Sequence, residues 1–333
     1  MADITILGSG GFGLSLAIMC EKMGHNVTVW SKFQDEIDTI KRTGELRSKL
    51  PGAVVPDGVR LTTDIACVEG ANIVIIGIPT QFVAEVCNTA KPYMNERSVV
   101  VSTSKGFEGG TMRRMSEVIS DILPNKTVVL SGPSHAEEIA RGTPTTVVAA
   151  CEDLNYAYYV QDELSNSTLR IYTNSDVIGC EVGGSLKNSI ALAAGVVDGM
   201  GFGDNTKAAL MTRGLTEIAR IGVAMGADEK TFSGLTGLGD LIVTCTSMHS
   251  RNRRAGILIG QGVKAEEAVR RTGTVEGYYS TKIAYPLAKK LGVDAPIIEQ
   301  LYKILFEDMP PKDALGHLMN RPMKHESEEG LYF

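Results

Sequence analysis

Residues Asp3-Ile-Thr-Ile-Leu7-Gly-Ser-Gly-Gly-Phe-Gly13 begin as an apolar strand and run directly into a glycine-rich turn. Residues 14–23 then repeat apolar side chains at helical spacing, and Asn26-Val-Thr-Val-Trp30 has the composition of a second strand. A strand, a helix and a strand in this order predict a βαβ unit at the start of the 333-residue chain.

The glycine-rich turn reads G-x-G-x-x-G in a strand–turn–helix setting, which is typical of a dinucleotide site. We expect Gly8 to permit the turn and Gly10 to let the backbone approach a pyrophosphate. Gly13 should let the helix lie close to the strand, so that the helix N-terminus faces the phosphates. The motif therefore predicts nucleotide binding.

The end of the second strand carries information about which cofactor binds. An NAD-selective site usually has Asp or Glu there, which holds the ribose 2′-hydroxyl. Here Ser31 and Lys32 follow the strand, and no acid occurs before Asp35. Because a cation and a hydroxyl can accept a 2′-phosphate, the sequence favours NADP(H) and leaves NAD(H) open. Lys32 could equally be a solvated loop lysine.

Strands and helices continue to alternate up to about residue 178, which predicts an α/β domain with a mostly parallel, doubly wound Rossmann-type sheet at residues 1–178. The loops after its strands should emerge along one edge of the sheet, so we expect Lys32, Lys105 and Gly132-Pro-Ser134 to lie at that edge. Strand patterns occur at 71–78, 98–102, 127–130, 145–150 and 169–172, helical patterns at 81–91, 112–123 and 154–164, and 41–64 is turn-rich.

The second half of the chain changes to helical patterns, which predicts an all-α domain at residues 179–333. Its helical patterns occur at 206–225, 263–272, 278–291, 296–306 and 310–319. We expect the tail at 324–333 to be disordered. The boundary falls beside the helix that carries Lys187, so that helix should lie where the domains meet, a common place for pockets.

Residues 182–197 carry one charge, Lys187, among small and apolar side chains. A lysine held on such a helix would be partly desolvated, which lowers its pKa and suits it to proton transfer. Alternatively, it reaches solvent or pairs with a core carboxylate. Helical spacing places it on one face with Gly183, Gly184, Ile190, Ala191 and Ala194.

Two further polar segments occur in this half. Asp240 lies between glycines and apolar residues in Gly237-Leu-Gly-Asp-Leu241, so its carboxylate should have a specific partner. Residues 247–254 open a helix with hydroxyls, an amide and three arginines, which could bind a dianion or simply form a solvated basic helix start. Glu276, in a later turn, could reach a ribose or an arginine.

Composition excludes several other classes of protein. A net charge of −6 offers no footprint for nucleic acid or an acidic membrane surface. Six scattered cysteines without C-x-x-C indicate buried free thiols, and five histidines without ligand spacing indicate no metal site. No run of 18 apolar residues and no secretory leader are found, so we expect no membrane span and a cytoplasmic protein.

Together these residues make the chain similar, over nearly its whole length, to the bacterial NAD(P)-dependent sn-glycerol-3-phosphate dehydrogenases. The resemblance implies reversible reduction of dihydroxyacetone phosphate to sn-glycerol 3-phosphate, which feeds phospholipid synthesis, and a homodimer. The matching motifs are Gly8–Gly13, Ser104-Lys-Gly-Phe, Ser131-Gly-Pro-Ser, Gly183-Gly-Ser-Leu-Lys-Asn, Gly199-Met-Gly-Phe-Gly203, Gly237-Leu-Gly-Asp-Leu, Ser250-Arg-Asn-Arg and Val275-Glu-Gly-Tyr.

The resemblance also implies roles for individual residues. Lys187 is expected to be the catalytic proton donor and acceptor, with Lys105 beside the substrate, and Asp240 and Thr244 are expected to orient Lys187. Expected cofactor contacts are Gly8, Gly10, Gly11, Phe12, Gly13, Lys32, Lys105, Ala136, Arg251, Thr274 and Glu276. Expected substrate contacts are Lys105, Gly132, Ser134, Lys187, Asn188, Asp240, Ser250, Arg251 and Asn252.

Two departures from the family pattern concern the cofactor site. Gly11 stands where the family usually has serine, and Arg47-Ser-Lys-Leu-Pro-Gly52 lacks the aromatic residue often found before Leu-Pro-Gly. Two alternative functions stay open at this point. One is a related β-hydroxy acid dehydrogenase, which needs a carboxylate anchor in place of a phosphate site. The other is a non-catalytic NAD(P)-sensing protein, for which Lys187 and Asp240 would have no purpose.

Overall fold

The computed structural model describes residues 1–323 and 325–326. They form a sheet covered by helices, followed by a second domain made of helices. Apart from residues 325 and 326, the tail expected to be disordered lies outside the described residues.

In the described part of the chain, eight strands form one sheet in the order β3-β2-β1-β4-β5-β6-β7-β8. Neighbouring strands are parallel except β6 and β7, which are antiparallel. The predicted Rossmann-type sheet is confirmed. The strands are β1 Asp3–Leu7, β2 Asn26–Trp30, β3 Arg60–Thr62, β4 Ile73–Ile76, β5 Val99–Ser102, β6 Thr127–Ser131, β7 Thr145–Ala150 and β8 Leu169–Asn174.

Helices pack on both faces of this sheet, and its central strands are apolar on both sides as a parallel sheet requires. One cluster of buried residues around α1 and α6 lies on one face, and another around α3 and α4 lies on the other. The helices are α1 Gly11–Lys22, α2 Gln34–Thr43, α3 Val83–Ala90, α4 Met115–Ile122, α5 Ala136–Ala140 and α6 Leu154–Leu164.

The region between β2 and β4 is one place where the sequence prediction was incomplete. The segment at 41–64 was expected to be turn-rich only, but it ends in the three-residue edge strand β3, which pairs with β2. Helix α2 was not predicted, although it is amphipathic, with Ile37 and Ile40 buried and charges outward. Short elements such as these owe their structure to the neighbours they pack on, so local pattern specifies them weakly.

The strand order reverses beside β1, where its neighbours are β2 and β4, and this point organises the cofactor side of the sheet. Gly8 has φ +126°, a conformation that favours glycine. A Cβ on Gly13 would lie 2.2 Å from the Gly8 carbonyl oxygen, and one on Gly8 would lie 2.6 Å from the Gly77 carbonyl oxygen. Only glycine lets α1 and the end of β4 approach this turn so closely.

The second domain is built around α7, in which every residue from 179 to 197 is buried. The all-α character predicted for this half is confirmed. Helix α7 begins at Val177. The division between the domains at residues 178 and 179 stays a prediction. The helices are α7 Val177–Gly199, α8 Asp204–Ala224, α9 Glu229–Phe232, α10 Asp240–Thr246, α11 Arg251–Gly260, α12 Ala265–Thr272, α13 Glu276–Leu291, α14 Pro296–Phe306 and α15 Pro311–Met319.

Close contact between α7 and α11 depends on four glycines. A Cβ on Gly195 would lie 2.1 Å from the Arg253 carbonyl oxygen, and one on Gly256 would lie 2.1 Å from the Leu192 carbonyl oxygen. Gly199 and Gly260 meet one turn further along in the same way. Because these glycines have no side chain, the backbones of α7 and α11 can contact each other.

A buried carboxylate ties α7 to the sheet domain. Glu181 accepts hydrogen bonds from the Ser116 backbone N–H at 2.8 Å, from the Ser116 hydroxyl at 2.6 Å and from the Arg114 guanidinium at 2.7 Å. Because these partners lie at the start of α4, they hold α7 in register with the sheet. Buried charges need such satisfied partners.

The cysteines are free, and all but Cys67 are buried, as expected for structural thiols. Between residues 1 and 323 and at 325–326, no helix combines the length and the apolarity that crossing a membrane would need.

Candidate functional site

Lys187 lies buried inside the second domain and has two polar partners. Its Nζ donates to Asp240 Oδ1 at 2.5 Å and to Thr244 Oγ1 at 2.8 Å. The Thr244 hydroxyl donates in turn to the Asp240 carbonyl oxygen at 2.6 Å. The ammonium is thus held in a fixed orientation between the carboxylate and the hydroxyl.

Lys105 brings a second ammonium to the same carboxylate from the sheet domain. Its Nζ donates to Asp240 Oδ2 at 2.7 Å and to the Gly132 carbonyl oxygen at 3.1 Å. Lys105 follows β5 and Gly132 follows β6, so both lie on the edge of the sheet where ligands bind. The Asp240 carboxylate therefore joins two lysines from different domains.

Local glycines explain why these side chains can meet. Residues Leu235–Gly239 form a π-helical turn before α10, and a Cβ on Gly237 would lie 2.1 Å from the Phe232 carbonyl oxygen. On α7, a Cβ on Gly183 would lie 2.7 Å from the Thr236 carbonyl oxygen, and one on Gly184 would lie 2.6 Å from Ser131 Oγ. Both glycines let α7 approach its neighbours closely. Asp240 and Thr244 are one turn apart on α10, so both face Lys187.

Burial and neighbouring charges set the protonation of this cluster. Burial lowers the pKa of Lys187 to about 8, with the Lys105 charge acting in the same direction and the Asp240 carboxylate opposing it. Burial alone would raise the pKa of Asp240, but the Lys105 and Lys187 ammonium groups hold it below its ordinary value. The cluster thus combines a stable anion with a lysine that can lose its proton near neutral pH.

A chain of side-chain amides lies next to this cluster. Asn188 donates to Glu276 Oε2 at 2.9 Å and accepts from Asn252 Nδ2 at 2.9 Å. Asn252 Oδ1 accepts the backbone N–H of Gly277 at 2.8 Å. These bonds connect α7, α11 and the start of α13. The structure thus brings together Asn188, Asn252 and Glu276, which were each predicted to contact a ligand.

A cleft between the two domains opens beside Lys105. It is lined by Pro79 and Thr80, which follow β4, and by Thr274 and Glu276 of the second domain. This cleft adjoins the glycine-rich turn after β1, because β4 is the neighbour of β1 in the sheet.

The start of α11 holds the predicted phosphate contacts. Ser250 caps this helix, and its Oγ accepts the Arg253 backbone N–H at 3.2 Å. Arg251 is the first residue of the helix and is exposed, whereas Asn252 is buried. Arg253 forms an ion pair with Asp198 of α7 at 2.7 Å, which joins the two helices. Arg251 is therefore an exposed cation at this helix N-terminus.

The glycine-rich turn fits a dinucleotide. A Cβ on Gly10 would have only the Gly77 carbonyl oxygen near it, at 3.7 Å, so the turn is open on that side. A Cβ on Gly11 would lie 2.7 Å from the Lys49 carbonyl oxygen and 3.6 Å from the Ala136 Cβ. A side chain at position 11 would therefore require the backbone at Lys49 to shift. Phe12 is partly buried against the core of the sheet domain.

Among the other predicted residues, Ser134 Oγ donates to the Gly132 carbonyl oxygen at 2.9 Å. This hydrogen bond lies within the turn after β6 and stabilises it. Lys32 lies away from the lysine cluster and pairs with Glu85 on α3 at 2.7 Å. The predicted residues therefore fall into two groups, one around Lys187 and one around the turn after β1.

Two features of the site were missed by sequence reasoning. Glu36, on α2, accepts hydrogen bonds from the hydroxyls of Ser9 and Ser31 beside the glycine-rich turn. His135 lies with its ring centroid 5.7 Å from that of His249, and burial and the Lys187 charge lower its pKa. The available signals were the helical pattern of α2 and the position of His135 directly after the Gly132–Ser134 turn.

Comparison with known proteins places this site in a family. The chain matches the model of the NAD-dependent glycerol-3-phosphate dehydrogenase N-terminus over residues 3–157 and that of the C-terminus over residues 176–316. It is 47% identical over 329 residues to the glycerol-3-phosphate dehydrogenase [NAD(P)+] of Clostridium acetobutylicum, with 98% of this chain and 99% of the relative covered.

Two further matches agree with this result. The glycerol-3-phosphate dehydrogenase [NAD(P)+] of Lysinibacillus sphaericus is 47% identical over 335 residues, which cover 99% of each chain. The crystal structure of the glycerol-3-phosphate dehydrogenase of Coxiella burnetii superposes with a TM-score of 0.92 at 36% identity, covering 96% of this chain and 99% of that one. The chain belongs to the NAD-dependent glycerol-3-phosphate dehydrogenase family.

Proposed function

We propose that the protein reversibly reduces dihydroxyacetone phosphate to sn-glycerol 3-phosphate with NAD(P)H, and so supplies glycerol 3-phosphate for phospholipid synthesis. The observation that carries the proposal is the Asp240 carboxylate, which joins Lys187 of the helical domain to Lys105 of the sheet domain. Family membership and the names of the relatives support the same substrate pair.

In the proposed reaction Lys187 gives its proton to the alkoxide oxygen that develops from the ketone. Its charge and that of Lys105 also stabilise this oxygen before the proton moves. Asp240 and Thr244 keep the lysine in one orientation, which reduces the entropy lost on reaching the transition state. The nicotinamide, when bound, supplies the hydride. Oxidation uses the same lysine as a base.

The phosphate of the substrate is assigned to the start of α11. Ser250, Arg251 and Asn252 would present hydroxyl, guanidinium and amide donors there, together with the helix N-terminus. Gly132 and Ser134 would line the substrate from the sheet side, and Asn188 would contact it from α7. Binding energy at the phosphate, which does not react, then holds the ketone in place.

The two alternative functions lack this support. A β-hydroxy acid dehydrogenase would need a carboxylate anchor, whereas Arg251 at a helix N-terminus suits a dianion. A protein that only senses a nucleotide would gain nothing from a buried lysine with a lowered pKa beside a cleft.

The names of the relatives support NAD or NADP as the cofactor. Gly8, Gly10, Gly11, Phe12 and Gly13 would hold its pyrophosphate, with Ala136, Arg251, Thr274 and Glu276 around it. The preference for NADP(H) that follows from Lys32 stays a prediction. We also propose that the protein works as a homodimer in the cytoplasm, in line with its free, mostly buried thiols.

One assay separates the three functions. Oxidation of NADH or NADPH is followed with dihydroxyacetone phosphate, with unphosphorylated dihydroxyacetone and with a β-keto acid. The proposal predicts efficient turnover of the phosphorylated ketone only. Preferred turnover of the β-keto acid would establish the first alternative, and binding of nucleotide without turnover of any ketone would establish the second.

A further inference from the structure

Glu36 reaches from the first turn of α2 to the place where β1 and β2 end. Its Oε2 accepts a hydrogen bond from Ser31 Oγ at 3.0 Å and another from Ser9 Oγ, and the two serine hydroxyls lie 2.8 Å apart. Ser9 is the second residue of the glycine-rich turn and Ser31 follows β2 directly. The carboxylate is therefore fixed between the phosphate-binding turn and the end of the second strand.

The surroundings of Glu36 confine its side chain. Its side chain is only 15% exposed, and Lys49 Nζ lies 3.8 Å from its Oε1. The backbone carbonyl of the same Lys49 packs against Gly11 in the turn. Glu36 and Lys49 thus belong to one charged cluster against the glycine-rich turn.

In doubly wound folds the adenosine ribose of a dinucleotide lies between this turn and the end of β2. A carboxylate there accepts a hydrogen bond from the ribose 2′-hydroxyl, whereas a 2′-phosphate would face a like charge that is shielded from water. We infer that Glu36 makes the protein select NAD(H) over NADP(H). This inference rests on the proposed function and opposes the preference for NADP(H) that Lys32 predicts, so one measurement of cofactor affinity decides between the two.

The geometry of Lys32 agrees with this inference. Its ammonium pairs with Glu85 on α3 at 2.7 Å, and both side chains are 58% exposed. Such an exposed pair contributes little free energy. Lys32 could therefore leave Glu85 and turn to a 2′-phosphate, but this phosphate would then also lie beside the Glu36 carboxylate. Glu36, not Lys32, is the residue that determines selectivity.

Titration calorimetry with ADP-ribose and 2′-phospho-ADP-ribose tests this inference without any turnover. We expect the wild-type protein to bind ADP-ribose more tightly by about tenfold or more. Glu36→Gln should lose most of that ratio, because the 2′-phosphate no longer meets a charge while the serine hydroxyls keep a partner. Asp35→Asn is the matched control: it removes the same charge from the adjacent exposed residue and should keep the wild-type ratio.

The affinity ratios also distinguish a local effect of Glu36 from an effect of overall charge. A wild-type preference for 2′-phospho-ADP-ribose, or a ratio unchanged in Glu36→Gln, would overturn the inference. Equal effects of Glu36→Gln and Asp35→Asn would assign the preference to overall charge and would also overturn it. Turnover of dihydroxyacetone phosphate is measured separately with both cofactors, so a failure of the proposed reaction is distinguished from a failure of the proposed selectivity.

Discussion

Lys187 Nζ lies 2.5 Å from Asp240 Oδ1, and the other oxygen of the same carboxylate bonds Lys105 at 2.7 Å. One buried anion thus compensates two cations that arrive from different domains. The arrangement brings Lys105 and Lys187 to the two oxygens of the same carboxylate. It also couples the protonation of Lys187 to the contact between the domains.

The pH dependence of ketone reduction should report Lys187. Because burial lowers its pKa to about 8, the proton that it must donate is lost as the pH rises through this value. We expect kcat/KM for dihydroxyacetone phosphate to be level below the pKa and to fall about tenfold per pH unit above it. Oxidation of glycerol 3-phosphate should show the opposite slope. A reduction profile that stays level to about pH 10 would contradict the assignment.

Asp240→Asn should move that profile. The Asp240 carboxylate raises the pKa of Lys187 against the effect of burial, so its removal lowers this pKa further. We expect the falling limb of the reduction profile to shift to lower pH by about one unit or more. Thr244→Ser, which keeps the hydroxyl, is the control and should leave the limb in place. A limb that does not move in Asp240→Asn would mean that the carboxylate does not set the protonation of Lys187.

Arg251→Ala should weaken the binding of the phosphorylated substrate. Loss of a charge-assisted contact to a dianion should raise KM for dihydroxyacetone phosphate by about 10- to 100-fold, with a smaller effect on kcat. Turnover of unphosphorylated dihydroxyacetone should hardly change. Arg254→Ala removes an exposed arginine from the same helix and should leave KM near the wild-type value. Equal KM changes in the two variants would argue against an anchor at Arg251.

Gly256→Ala tests the packing of α11 on α7. The added Cβ would lie 2.1 Å from the Leu192 carbonyl oxygen, so the helices must separate. We expect the free energy of unfolding to fall by about 1–3 kcal/mol or more, measured by urea denaturation. Gly316→Ala is the matched control in α15, since its Cβ would have no atom within 4 Å. It should raise stability by about 0.5–1 kcal/mol. Similar changes in both variants would refute the close contact.

Local pattern was enough to predict most of the fold. The βαβ unit at residues 3–30 combines strand, turn and helix signals within a short stretch, and each signal agrees with the others. The long helix around Lys187 was predicted for the same reason. Strand β3 and helix α2 were missed, because a three-residue edge strand and a ten-residue helix depend on the elements they pack against.

The site depends on contacts between residues far apart in the chain. Lys105 and Asp240 are separated by 135 positions, and only the docking of two domains brings them together. The sequence indicated that Asp240 needs a partner but could not name it without the family resemblance. Glu36 was overlooked because an acid was sought directly after β2, whereas the first turn of α2 folds Glu36 back onto Ser31.

The role of Lys187 is tested most directly by turnover of Lys187→Ala with and without a small primary amine. We predict that kcat for dihydroxyacetone phosphate falls by about 10²–10⁴ while circular dichroism and nucleotide binding stay as in the wild type, because Lys105 still compensates Asp240. Added methylamine should restore part of the rate, since it can occupy the vacated space as a proton donor. Wild-type turnover in this variant, or a loss that no amine restores despite an intact fold, would contradict the role of Lys187.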